Sequence, residues 1–269
     1  MTDTGHKAEA ALQKFALQKK SWGKLRRIRP SAIDLVKIEQ IRTAKASIFQ
    51  PDGVGLEDLI LDLGLNDDGL GDFPESLRPH CGHGLLIWQY PREFSRYLLH
   101  LGRLGVKSYV ELGVRHGGTF VTTVECLARQ GEIERALAID IMPCPSIEEY
   151  IALRPEVRFA RVNTQSREFA RVVDEFGPFD AAMIDANHDE EECQHEFEIL
   201  KERCPILAFH DVANREFPDV AKVWKRVLGL GEYLCYEYLS NYPEPHLPMG
   251  IGLAVRKTWA AGRALAEEG

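Results

Sequence analysis

From about residue 92 onward, short apolar runs alternate with stretches whose apolar positions recur at a helical period. The pattern predicts a helix over Arg92–Leu104, a strand over Ser108–Leu112, a helix over Thr119–Gln130 and a strand over Ala136–Ile141. Strand Val157–Val162 then precedes helix Ser166–Phe176, and strand Phe179–Ile184 precedes helix Glu190–Arg203. Strand Ile206–His210 leads to a helix near Val220–Leu228. Such alternation predicts a doubly wound, mostly parallel sheet covered on both faces. The ending breaks the rule. Tyr233–Leu239 and Ile251–Arg256 are strand-like with no helix between them, and the proline-bearing loop 240–249 is too short for a crossover. Those two strands should pair antiparallel.

Before residue 82 the pattern predicts helices and loops. Ser31 is placed to cap a helix carrying Ile33, Val36, Ile38, Ile41 and Ile48, with Asp34 three residues after the cap. A short helix around Leu56–Leu65 runs into an acidic turn, Asn66 to Asp72. Its spacing resembles a calcium loop up to Glu75, but the first ligand position falls on Gly64, which has no side chain, so a surface turn is expected. The expected organisation is a helical N-terminal extension or cap over 1–82, a core over 83–257 and a tail over 258–269.

Composition narrows the class. The chain has 269 residues, 45% hydrophobic and 28% charged, enough for one large domain or for one domain plus a smaller appendage. It has no apolar run of about 18 residues and no charged-then-apolar leader, so neither a membrane span nor secretion is expected. Six scattered cysteines without C-x-x-C spacing read as reduced thiols of a cytoplasmic protein. A formal charge of −8 argues against nucleic acid as a partner. That charge is uneven: residues 1–30 carry eight basic and two acidic side chains, leaving −14 for the rest. Ala8, Ala11, Leu12 and Phe15 fall on one helical face, so the basic arm reads either as a dock for an acidic partner or second subunit, implying a homo-oligomer, or as a solvated helix.

The chemistry concentrates in Tyr109-Val110-Glu111-Leu112-Gly113-Val114-Arg115-His116-Gly117-Gly118-Thr119. An apolar strand ends in an acid, breaks into a glycine turn and opens a helix, the form of a cradle for a nucleoside-containing cofactor. A dinucleotide fingerprint reads G-x-G-x-x-G, whereas this loop reads E-x-G-x-x-x-G-G. A carboxylate aimed into the loop would repel a pyrophosphate and attract the ammonium of an amino-acid moiety.

These features, over roughly residues 85–257, resemble the class I S-adenosylmethionine-dependent methyltransferases, which implies a seven-stranded sheet with a final antiparallel strand. The resemblance places Glu111, Gly113, Gly117 and Thr119 in the first cofactor motif. Asp140, 27 positions after Gly113, takes the place of the acid that holds both ribose hydroxyls. Thr164-Gln165-Ser166 sits where the family contacts adenine, making Gln165 and Ser166 cofactor candidates, and Asp185 falls at the cofactor–substrate junction. Met183 to Glu190, Ala208 to Val212 and Phe217 to Trp224 further resemble a subgroup of small-molecule O-methyltransferases that includes macrocin-type, rhamnosyl and cephalosporin-hydroxylase-like proteins. Gly84 to Pro91 resembles its entry to the first core helix and adds Gln89 to the cofactor candidates.

The same resemblance implies a divalent cation, magnesium first, on Asp185 and Asp211. His210 stands where relatives carry a second acid and leans the donor set towards zinc, manganese or iron. His188 is the expected general base, because imidazole titrates near neutral pH, with Asp185 the second catalytic candidate. The expected activity is methyl transfer to a hydroxyl of a small molecule, a sugar or natural-product scaffold, with the N-terminal region and loop 240–249 covering the acceptor. A nucleotide-cofactor oxidoreductase is disfavoured by the glycine spacing and the terminal hairpin. A catalytically silent cofactor-binding or assembly subunit is the remaining alternative.

Overall fold

The structure, a computed structural model, describes residues 30–68 and 73–261. The basic arm lies outside them, as does the end of the acidic turn. Seven strands form one sheet: β1 (Ser108–Leu112), β2 (Arg135–Asp140), β3 (Val157–Arg161), β4 (Ala181–Ile184), β5 (Ile206–His210), β6 (Tyr233–Tyr238) and β7 (Ile251–Arg256). Their order is β3-β2-β1-β4-β5-β7-β6. The first five strands run parallel, while β7 pairs antiparallel with both β5 and β6. The sequence pattern predicts the mostly parallel sheet and the antiparallel pairing of β6 with β7.

Strand alternation divides the core in two. Tyr109, Met183 and Ala208 face one apolar layer. Val110, Leu112, Ile184 and Phe209 face the other. The first layer is closed by α1 (Ile38–Arg42), α2 (Val54–Leu63), α3 (Pro91–Arg103), α4 (Gly118–Gln130) and α5 (Pro145–Ile151). The second is closed by α6 (Arg167–Phe176), α7 (Glu190–Leu200) and α8 (Pro218–Gly229). Each layer removes many aliphatic and aromatic side chains from water, at about 1.5–3 kcal/mol apiece.

Two expectations are corrected. The helix expected from Ser31 breaks into a single 3₁₀ turn over Leu35–Lys37, α1, and a second turn over Ala46–Phe49. Asp34, not Ser31, caps the first turn by accepting the N–H of Val36. The cause is tertiary: the N–H of Asp34 donates to the Gly84 carbonyl, that of Ile33 donates to Ser146 Oγ, and Val36 is left 78% exposed. The sequence pattern also misses α5, which begins at Pro145, where a missing N–H costs the first helical turn nothing.

The described part of the extension shares the core of the sheet domain. Ile38, Ile41, Leu56, Ile60 and Leu63 lie in the same layer as Phe94 and Phe120. Arg42 of α1 and Arg154 both grip the buried carboxylate of Glu125, which also accepts the Tyr150 hydroxyl. All six cysteines are unpaired. Among the described residues no helix is long and apolar enough to cross a membrane.

Candidate cofactor and catalytic site

Parallel strands send their carboxyl ends to one rim of the sheet, and the candidate residues gather there. The glycine loop is shaped by its own chain. Gly113 has φ of +83°, and a Cβ there would collide with the carbonyl of Asp185. Gly117 has φ of +94°, and its Cβ would lie 2.7 Å from Ile147 Cδ1. Their freedom therefore lets backbones of β1 and β4 and helix α5 approach, in addition to any ligand.

Asp140 closes β2 beside this loop. Its Oδ2 accepts the N–H of Arg115 at 2.8 Å and its Oδ1 that of Met142 at 2.8 Å. Each oxygen retains a lone pair for a further donor, as two ribose hydroxyls require. Glu111 is 1% exposed and accepts the Tyr109 hydroxyl at 2.6 Å. Burial pushes its carboxyl up to about 8, so an arriving cation would draw it into its ionised form.

Gln89 has no exposed surface, and both its Nε2 and its Oε1 lack a hydrogen-bond partner. Leaving a buried polar atom unpaired costs about 1–3 kcal/mol, so this amide is a candidate to meet a polar ligand. Thr119 serves the same segment: its hydroxyl accepts the N–H of Trp88 at 3.3 Å. The third strand contributes less directly. The Gln165 amide donates to Thr164 Oγ1 and to the Glu192 carbonyl, both at 3.3 Å, and Ser166 Oγ donates to the Asn163 carbonyl. Those side chains are committed to local bonds. Thr164 instead donates to Glu196 at 2.6 Å, a fully buried carboxyl that burial pushes up to about 8.

At the ends of β4 and β5 the structure brings four titratable groups together. His188 Nε2 lies 3.5 Å from Asp185 Oδ1 and 3.0 Å from Asp211 Oδ2. His210 Nδ1 lies 3.1 Å from Asp185 Oδ1. The Phe217 ring stacks on His188 with centroids 4.4 Å apart. Asp211 adopts φ of +62° and accepts the Asn214 amide through Oδ1 at 3.0 Å. Burial opposes charge on both imidazoles, but the two carboxylates outweigh it and raise both. Despite its own burial, Asp211 is held low by His210 and His188.

Two sequence expectations change here. Beside the expected metal set Asp185, His210 and Asp211 the fold places His188: one donor atom each from Asp185, His188 and His210 lies within 4.8 Å of the others. One carboxylate and two imidazoles fit a borderline divalent cation. Asp211 Oδ2 lies beside the same cluster, 3.0 Å from His188 Nε2 and 3.6 Å from His210 Nδ1, while its Oδ1 accepts the Asn214 amide. His188 was expected to titrate near neutrality, but two carboxylates now favour its protonated form.

Sequence reasoning missed Glu93. This acid, 2% exposed on α3, accepts the N–H of Ser240 through Oε1 and that of Gly250 through Oε2. It thus ties down both ends of loop 240–249, and Tyr90 reaches the loop's middle by donating its hydroxyl to the Leu247 carbonyl. The signal was an acid four positions before Tyr97, on the helix's apolar face. Asp68 was also missed: it accepts from Arg115 and His116 of the glycine loop.

Residues 110–212, from within β1 to just past β5, match the family described as "Methyltransferase domain". No protein of curated function matches the chain. Among solved structures, the O-methyltransferase TomG from Streptomyces achromogenes, involved in tomaymycin synthesis and solved with its S-adenosylmethionine, is similar at 15% identity. That similarity covers 64% of this chain and 82% of TomG, with a TM-score of 0.50. Cofactor-bound Rv0187 from MTB is similar at 11% identity, covering 86% of this chain and 99% of its own, also with a TM-score of 0.50.

Proposed function

We propose that this chain, which carries a methyltransferase domain on the class I S-adenosylmethionine-dependent fold, transfers the cofactor's methyl group to a hydroxyl of a small molecule. The observation that carries the reading is the run of carboxylates Glu111, Asp140 and Asp185 at the ends of three neighbouring strands around the glycine loop. In it, Asp140 receives the ribose hydroxyls and the buried Glu111 carboxyl ionises against the amino-acid ammonium. Gln89 supplies a donor and an acceptor where the fold leaves both unused. TomG's solved complex with S-adenosylmethionine supports the choice of cofactor. The −14 charge carried beyond residue 30 speaks against a polyanionic acceptor.

The sulfonium supplies its own leaving group, so the protein's tasks are in-line positioning and removal of the acceptor's proton. His188 Nε2 is the atom assigned to that proton. The two carboxylates hold His188 protonated at rest, so it acts as a base only in the neutral form that rising pH populates, and it leaves the step as an imidazolium bonded to Asp211. Phe217 and the two carboxylates hold the ring in one orientation. Were a divalent cation held by Asp185, His188 and His210 instead, its Lewis acidity would lower the pKa of a bound hydroxyl, and His188 would serve as a ligand rather than as the base. Loop 240–249, fastened by Glu93, covers the acceptor and excludes water. Incubation with methyl-labelled cofactor and a panel of sugars and hydroxylated scaffolds tests the reading. Label should pass to a hydroxyl compound, and recovery of no methylated product across the panel would count against it.

A further inference from the structure

The acidic turn of the N-terminal segment reaches the glycine loop through one side chain. Asp68 Oδ2 accepts from Arg115 Nε at 2.8 Å and Nη2 at 2.5 Å, and lies 3.0 Å from His116 Nε2. The turn is fixed from behind. The N–H of Asp68 donates to Asn66 Oδ1, the N–H of Asn66 donates to the Ile87 carbonyl, and Leu65 bridges Ile87. Arg115 lies between Gly113 and Gly117 in φ of +43°, and its backbone N–H is the one that holds Asp140. Its guanidinium sits 5.2 Å from the Trp88 ring centroid, next in sequence to the unsatisfied Gln89.

A guanidinium is never deprotonated in a protein, so this loop carries a permanent positive charge into the cofactor cradle. A sulfonium is also a cation. Like charges in a partly buried site repel over distances that bulk water would screen. We propose that Asp68 is a positioning residue of the cofactor site, neutralising Arg115 so that the glycine loop accepts a sulfonium. The proposal rests on the S-adenosylmethionine reading above. It makes the extension a part of cofactor recognition, and it confines the effect of Asp68 to the charged form of the cofactor. The demethylated product keeps the adenosine and amino-acid groups but is a neutral thioether, so it lacks the charge in question.

Calorimetry on the full chain with S-adenosylmethionine and S-adenosylhomocysteine separates this role from a structural one. Asp68→Asn should weaken binding of the sulfonium about three- to tenfold more than binding of the thioether. Asp68→Glu should keep the ratio of the unaltered protein, and adding Arg115→Gln to Asp68→Asn should restore it. Equal losses for both ligands, or an unchanged ratio in Asp68→Asn, would overturn the proposal. Failure of the unaltered protein to bind either ligand would instead overturn the cofactor reading beneath it.

Discussion

Glu93 Oε2 accepts the backbone N–H of Gly250 at 3.0 Å, a tie between α3 and the approach to β7 that spans 157 positions. With Ser240 held by the other oxygen at 2.7 Å, one buried carboxylate closes a loop that otherwise has no regular structure. Glu93→Gln keeps one acceptor and turns an amide donor towards a backbone N–H. It should cost about 1–3 kcal/mol of stability. Limited proteolysis should then cut within 240–250 faster than in the unaltered protein, and the acceptor KM should rise more than the cofactor KM.

Gln89 offers an opposition between stability and binding. Gln89→Leu removes two buried polar atoms that have no partner. The ligand-free protein should become more stable by about 1–2 kcal/mol, because the desolvation cost disappears. Cofactor affinity should fall about tenfold for the lost hydrogen bonds. Thermal melts with and without cofactor read both effects at once.

Glu125 predicts the acid limb of stability. Burial would raise its carboxyl, but hydrogen bonds from Arg154, Arg42 and Tyr150 hold it below the ordinary 4.5. A depressed folded value means the contribution is complete above 4.5 and lost as pH falls through the lower folded value. Glu125→Ala should cost about 2–4 kcal/mol near pH 7, less than the loss of a fully buried pair because both guanidiniums keep some contact with water. The difference between the two proteins in denaturant melts should shrink below pH 4.5.

The donor set of Asp185, His188 and His210 makes its own prediction. Elemental analysis after loading with manganese or zinc should find metal on the protein, and His210→Ala should weaken that binding at least about tenfold. Asp211→Asn should weaken it less, since Asp211 lies outside the set of three. The reverse ranking would return the site to an all-acid pair.

The sheet was legible because parallel strands buried on both faces read as apolar runs, as Ala181–Ile184 and Ile206–His210 do. Glu111 followed from the glycine loop, and Asp140 and Asp185 from the resemblance to the class I methyltransferases laid on that frame. Helix α5 was illegible because Pro143 and Pro145 resemble a loop, although Pro145 is in fact its first residue. The extension was misread where tertiary bonds from Gly84 and Ser146 override the apolar period. Glu93 and Asp68 escaped notice because an acid on a helix or turn reads as solvated, and only the fold reveals the backbone or guanidinium it meets. The glycine loop carried a double meaning: its spacing spoke of a ligand, while the fold shows the same glycines admitting Asp185 and Ile147.

Titration calorimetry of the purified full chain with S-adenosylmethionine, S-adenosylhomocysteine and NAD decides the identity of the cofactor. Saturable one-to-one binding of the first two is expected, lost or much weakened in Asp140→Ala, with no heat of binding from NAD. Binding of NAD with no response to either sulfur compound would exclude S-adenosylmethionine as the cofactor.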